Sequence, residues 1–102
     1  MESFKKIAEQ TMNFIFDFVE KDYNSFDVDF EDENLKIQCD ENIFILSIHN
    51  PSNQIWLSSP ISGAHHFKLI SEKDFKSWTS TRDEKIKLFD ILENELKEID
   101  EK

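Results

Sequence analysis

Little in this chain lets it bend freely or cross-link: its 102 residues hold one glycine (Gly63), two prolines (Pro51 and Pro60) and one cysteine (Cys39). A lone cysteine makes no internal disulfide and starts neither a zinc knuckle nor a CxxC redox pair, so a reducing compartment is expected. A single glycine leaves no glycine-rich loop to cradle phosphates, and GxGxxG, P-loop, GxSxG and HExxH motifs are all missing. No run approaches the roughly 20 apolar residues that cross a bilayer, and Met1 to Lys6 begin no apolar stretch of signal-peptide length. A soluble, cytoplasmic protein is the expectation. Positive charge is also scarce: 12 Lys plus Arg face 22 Asp plus Glu, a net charge of -10. Such a chain does not bind nucleic-acid phosphates or an anionic membrane unaided, and its partners should be cations or basic surfaces.

What is present is enough for one compact core. Hydrophobic residues make up 38% of the chain and ten residues are Phe, which argues against wholesale disorder and for a single domain over residues 1–102. The acidity is unevenly placed. Residues 1–41 hold 12 acids and 4 bases, residues 42–82 hold 2 and 4, and residues 83–102 hold 8 and 4, for nets of -8, +2 and -4.

Ser3 is placed to cap a helix in which Phe4, Ile7, Ala8, Thr11, Phe14, Ile15, Phe18 and Val19 repeat at three and four residues, giving one buried stripe. Glu9, Asn13, Asp17 and Glu20 follow the same spacing on the outer side, and Asp22 continues the line. Phe26 to Glu31 then alternates strictly, so a strand points Phe26, Val28 and Phe30 inward and sets Asp27, Asp29 and Glu31 outside in one row, roughly 7 Å apart. A turn at Asp32 to Asn34 leads into Leu35 to Cys39, with Leu35, Ile37 and Cys39 inward. Further strands are expected at Ile43 to His49, Gln54 to Ser58 and His65 to Ile70, with a short piece near Trp78. Thr81 to Glu84 fits a capping box opening a last helix, whose face is Leu88, Phe89, Leu92, Leu96 and Ile99. Short connections dictate an antiparallel sheet. The expected fold is α+β, a two-layer α/β sandwich with the N- and C-terminal helices packed on one face of that sheet.

Several features carry candidate chemistry. Surface carboxylates ordinarily form a solvated face that keeps a protein soluble. Here seven acids between Glu20 and Glu33 face Lys21 as their one counter-charge in that stretch, and tolerated repulsion points to use. Carboxylates are hard oxygen ligands suited to iron, manganese, calcium or magnesium and not to copper(I). A row pointing outward from a strand and a helix edge gives each ion one or two carboxylates plus water, so binding should be weak and exchangeable. An EF-hand starting at Asp27 fails, since Asp32 stands where glycine is needed and Gln38 where glutamate is. His65 and His66 are strand neighbours on opposite faces and do not share one ion; His49 has no partner at ligand spacing, and Cys39 reads as a small buried side chain. Aliphatic Ile55 and Leu57 turn toward the helices, leaving Trp56 and Gln54 on the open sheet face, where Trp56 is an anchor candidate for a protein partner. Exposed carboxylates lack the burial that raises a pKa for general-acid work, so no enzyme is expected.

The run Gln54-Ile55-Trp56-Leu57-Ser58-Ser59-Pro60-Ile61-Ser62-Gly63 resembles the central strands of the frataxin family. The likeness extends over the acidic first helix, the acidic first strand, the strand at Trp78 and the closing helix, and the short form is similar to the bacterial members called CyaY. Two departures stand out: a longer stretch from Ile70 to Ser77, and Ala64-His65-His66-Phe67 where the family varies. The resemblance implies an iron-binding protein of iron–sulfur cluster assembly, an iron chaperone or regulator that docks on a cysteine desulfurase and its scaffold protein. It maps the family's acidic ridge, holding Fe2+ or Fe3+ weakly, onto Asp17, Glu20, Asp22, Asp27, Asp29 and Glu31. Partner contact maps onto Gln54 and Trp56 together with Asp27, Asp29 and Glu31. A monomer, oligomerising with iron at most, is implied. Two other readings stay open: a ferroxidase-like iron store that oligomerises, and a metal-independent acidic adaptor.

Overall fold

The computed structural model describes residues 3–70 and 77–101. The first helix, α1 (Phe4–Asp22), starts where expected: the Ser3 hydroxyl accepts the Lys6 N–H at 3.2 Å. It ends where the Tyr23 N–H closes on the Val19 carbonyl at 2.8 Å. Among the described residues six strands follow in chain order, β1 (Asp27–Glu31), β2 (Asn34–Cys39), β3 (Asn42–His49), β4 (Gln54–Ser59), β5 (Gly63–Leu69) and β6 (Trp78–Ser80), and then α2 (Leu88–Asp100). The strands form one antiparallel sheet in the spatial order β1 to β6. The connections that are described in full are short turns. Asp32 and Glu33 join β1 to β2 with φ of +52° and +67°, the mirror-image turn that matches strand twist. Pro60 to Ser62 close β4 onto β5 with Gly63 at φ +84°. The stretch noted between Ile70 and Ser77 falls on residues 71–76, outside the described residues.

Both helices and one sheet face share a core. Leu35, Leu46 and Leu57 form one cross-strand row of it, and Ile48, Ile55 and Phe67 another. Ile7, Ala8, Met12, Ile15 and Val19 of α1 and Leu88, Leu92, Leu96 and Ile99 of α2 pack onto them. This is the expected α+β sandwich. Two side chains differ from the helical reading: Met12 is fully buried, while Phe14 lies 36% exposed at the rim, edge-to-face with Phe89 at 5.5 Å. Three- and four-residue spacing leaves the stripe's edges undetermined, and the position of α2 decides between them.

The start of α2 is a correction. Thr81 to Glu84 do not cap it. The helix opens at Leu88 after an N-cap Lys87 that makes no side-chain cap, and the preceding residues are held by the sheet and a turn. The Ile86 N–H donates to the Asp83 carbonyl at 3.0 Å, and the Ser80 N–H donates to the Ile86 carbonyl at 2.9 Å. Thr79 pairs with Lys87 as an isolated bridge. Strand pairing therefore outcompetes a locally satisfactory capping box.

Two buried polar contacts lock the layers together. The Thr11 hydroxyl donates to the Ile7 carbonyl at 2.8 Å and accepts the Trp78 indole N–H at 2.9 Å, tying α1 to β6. The Ser59 hydroxyl donates to Glu95 Oε1 at 2.5 Å and accepts the N–H groups of Ile61 and Ser62 at 3.0 and 3.1 Å. The Ser-Pro-Ile-Ser-Gly turn is thus pinned to α2.

Candidate functional site

Asp27, Asp29 and Glu31 are exposed on β1, while Phe26 is buried and Val28 and Phe30 are half-buried, as strict alternation requires. Because the intervening residues face the helices, the three carboxylates stand on the opposite, open face of the sheet. Asp17, Glu20 and Asp22 are exposed on the helix layer. The six acids therefore wrap the β1 edge of the sandwich from two sides. Among the described residues no three His, Cys, Asp or Glu side chains come close enough to hold one metal ion. The chemistry open to such a row is one or two hard oxygen donors per cation, with water completing the shell.

The register shows compensation that sequence order hides. Lys36 stands directly across from Asp29, with Gln38 across from Asp27 and Asn34 across from Glu31. Lys5 and Glu9 of α1 line a groove with Glu31, Asp32 and Glu33. Lys21 is therefore not the sole counter-charge.

Acids from the far end of the chain also gather here. Burial pushes the Tyr23 hydroxyl above its ordinary pKa, and the charges of Glu93, Asp100, Asp22 and Glu101 push it further. Burial likewise raises the Cys39 thiol, aided by Asp40, Asp100 and Asp27. The C-terminal end of α2 thus joins its charge to the α1 terminus and the β1 edge. Sequence reading kept α2 out of the acidic ridge, because nothing in local spacing reports this return. Cys39 itself is half-buried on the helix side, at the end of β2.

The same open face carries Gln54 and Trp56, both half-buried, while Ile55 and Leu57 are buried against the helices. The Trp56 indole N–H donates to Gln54 Oε1 at 2.8 Å, so the two residues form one unit. One cross-strand row runs Glu31, Asn34, Ser47, Trp56, His66, with the Ser47 hydroxyl donating to Asn34 Oδ1 at 2.6 Å. Ile43 and Ile45 of β3, 36% and 41% exposed, lie between the acidic edge and Trp56. Two further side chains belong to the site that sequence reasoning passed over as ordinary strand histidines. The His49 ring stacks on Trp56 at 3.8 Å and 16°, and the His66 ring stacks at 4.2 Å and 10°. Hairpin arithmetic contains the signal: a β4–β5 turn ending on Ser59 and Gly63 sets His66 opposite Trp56. His65 lies on the other face, its Nε2 2.7 Å from the Ser62 hydroxyl, so the two neighbouring histidines are separated as expected.

The frataxin-like domain family matches residues 1–102. The chain belongs to the frataxin family. It is 33% identical to the mitochondrial frataxin of Arabidopsis thaliana over 105 residues, covering 96% of this chain and 54% of the plant protein. It is 30% identical to the mitochondrial frataxin homologue of Schizosaccharomyces pombe over 90 residues, covering 79% of this chain and 54% of the yeast protein. The chain spans about half the length of these curated relatives. Trimeric frataxin of Saccharomyces cerevisiae in a ferrous complex superposes with a TM-score of 0.81 at 25% identity, covering 94% of this chain and 87% of that one. The frataxin of Psychromonas ingrahamii, studied within the CyaY family, shares the fold with a TM-score of 0.78 at 20% identity, covering 91% and 84%. No helix among the described residues is long and apolar enough to cross a membrane.

Proposed function

We propose that this frataxin-family chain binds iron weakly and exchangeably through Asp17, Glu20, Asp22, Asp27, Asp29 and Glu31 and serves iron–sulfur cluster assembly. In this reading it docks on a cysteine desulfurase and its scaffold protein, in a reducing, cytoplasmic setting, and adjusts cluster synthesis without performing chemistry itself. One observation carries the reading: the exposed row Asp27, Asp29, Glu31 shares the open sheet face with Trp56 and Gln54. A basic partner surface laid on that face meets carboxylates at β1 and an aromatic anchor at β4 together. The ferrous complex of the yeast relative supports iron as the cargo, and carboxylates spread singly along an edge fit a cargo that must leave again.

Reversing Asp27, Asp29 and Glu31 together to Lys tests the reading. The variant should keep the fold and lose desulfurase binding, because each reversal turns an attractive contact into a repulsive one. Unchanged affinity at moderate salt would refute ridge docking. Anaerobic ferrous titration of the isotopically labelled chain should broaden NMR signals from Asp17 through Glu31 and leave those of β4 and β5 sharp.

The trimeric state of the yeast structures supports a second reading, an oligomerising store that oxidises ferrous iron. Oxygen consumption with ferrous iron, above the protein-free control and lost in the triple reversal, would favour it.

A further inference from the structure

Trp56 is the one indole on the open face, and neither of its faces is free. His49, diagonal to it on β3, covers one, and His66, directly opposite on β5, covers the other. The two interplanar angles of 16° and 10° make this a three-ring stack standing up from the sheet. The indole and the His49 ring each have a side-chain tether. Gln54 Oε1 holds the indole N–H, and the Ser52 hydroxyl lies 2.6 Å from His49 Nδ1, on a 3-10 turn (Asn50–Ser52) that closes through Asn53 at φ +54°. The hydroxyl both donates and accepts, so this contact is compatible with either tautomer of His49 and with its protonated form. The His66 backbone is fixed by its carbonyl accepting the Thr81 N–H at 2.9 Å. A partner therefore meets ring edges, which carry the positive end of the aromatic quadrupole and N–H donors. It does not reach the π faces of the indole.

The charges around the stack come from every neighbouring element. On β5, Lys68 stands opposite Gln54. On β2, Lys36 stands opposite Ile45, and on β1, Glu31 ends the row that contains Trp56. In the β1–β2 turn, Glu33 Oε2 accepts from Asn50 Nδ2 at 3.1 Å. Beyond β6, Arg82 follows Thr81. No carboxylate side chain lies on β3, β4 or β5, the strands that carry the stack. A proton on His66 is therefore met by the indole face, which attracts a cation, and one on His49 by the indole face together with the Ser52 hydroxyl and the Glu33 carboxylate bound to neighbouring Asn50.

We propose that His49 and His66 are positioning residues that clamp Trp56 edge-on, and that their protonation tightens the clamp. Docking through this face then strengthens on a partner presenting carboxylates or carbonyl oxygens to the ring edges as pH falls. The inference rests on the proposed reading of the open face as a docking surface and assigns that surface its regulation.

Two measurements on the full chain test it. Emission from Trp56 is quenched when a stacked imidazole gains a proton, so fluorescence should fall on acidification while the fold persists. Trp56→Phe should abolish the fall, since Trp78 is fully buried and bonded to Thr11. His49→Phe and His66→Phe, which keep a ring in the stack, should each remove part of it. A flat emission profile, or a fall that persists in Trp56→Phe, overturns the clamp. Binding to an iron–sulfur scaffold protein should tighten by about threefold to tenfold on the same acidification, as carboxylates or carbonyl oxygens of the partner meet charged imidazole edges. The double variant His49→Phe/His66→Phe should bind with an affinity that does not change as pH falls. Equal pH profiles for parent and double variant overturn the regulation. If Trp56→Ala leaves scaffold affinity unchanged at every pH, the regulation falls with the docking reading, and a persisting emission step places the failure there and not in the clamp.

Discussion

Ser59 is the second serine of the family-like run, and its hydroxyl is its entire contribution. Replacing it with alanine removes one donor and one acceptor while leaving the backbone free to keep its course. Ser59 and Glu95 are each 8% exposed, so the Glu95 carboxylate loses its hydroxyl donor in a place that water barely reaches. A hydrogen bond to a charged group contributes about 1.5–3 kcal/mol, and the buried acceptor left behind carries the desolvation penalty in full. The Ile61 and Ser62 N–H groups belong to exposed residues and turn to water at a cost of a few tenths of a kcal/mol. Ser59→Ala should therefore destabilise the fold by about 2–3 kcal/mol, a melting temperature lower by about 10–20 °C for a chain of this size.

Urea unfolding followed by far-UV circular dichroism reads this directly, with the midpoint lowered and the slope unchanged. Glu95→Gln is the informative partner, because its amide oxygen still accepts from Ser59; it should cost about 1 kcal/mol or less, and the two changes together should be strongly non-additive. A Ser59→Ala loss below about 0.5 kcal/mol would refute the reasoning, since that is what an ordinary surface substitution costs. A Glu95→Gln loss as large as that of Ser59→Ala would refute it too, by showing that charge and not the hydroxyl bond holds the turn.

Thr11→Val should cost about 1–3 kcal/mol in the same assay, because the Trp78 N–H is then buried without an acceptor, whereas Thr11→Ser keeps the acceptor and should cost about 1 kcal/mol. Gly63→Ala should cost about 1–2 kcal/mol from its φ of +84° alone, since an added Cβ meets nothing within 4 Å; a loss above that range would reveal a clash. The Cys39 thiol, raised by burial and by Asp40, Asp100 and Asp27, holds less thiolate at any given pH than a free cysteine does. Its alkylation by iodoacetamide at about pH 8 should be slower than that of free cysteine and should accelerate as pH rises; an equal or faster rate would refute the shift.

Much of the fold was legible because its rules are local. The period of two from Phe26 to Glu31 set the outward row, Ser3 marked the start of α1, and aliphatic Ile55 and Leu57 fixed which way Trp56 points. What escaped depends on partners distant in sequence. Thr81 to Glu84 satisfied a capping rule, yet Ser80 and Thr79 were already committed to Ile86 and Lys87 across a strand bridge. Lys36 is seven residues from Asp29 along the chain and opposite it in space, so reading the row in sequence overstated its isolation. The acids of α2 reach Tyr23 and Cys39 only once the last helix has packed. His49 and His66 needed two hairpin registers combined, which turn positions contain but single-strand patterns do not display.

Those registers also give the open face a polarity. From Glu31 through Asn34, Ser47 and Trp56 to His66 the row crosses four inter-strand spacings of about 4.8 Å, or about 19 Å. One end carries the carboxylates of β1; the other carries Trp56, His66 and Lys68, with Ile43, Ile45 and His49 on β3 between. Physiological salt screens exposed charges beyond about 8 Å, so the two ends act on a docked protein as separate contacts and not as one averaged field. On the proposed reading, the carboxylate end sets how fast a basic surface arrives and how steeply salt slows it, because long-range attraction governs encounter. The aromatic end sets how long the partner stays, because a packed anchor acts through the off-rate. Reversing the β1 acids should then lower the association rate and flatten or invert its salt dependence, while Trp56→Ala should leave both untouched and shorten the lifetime of the complex. A Trp56→Ala effect confined to the association rate would show that the face has one pole and not two.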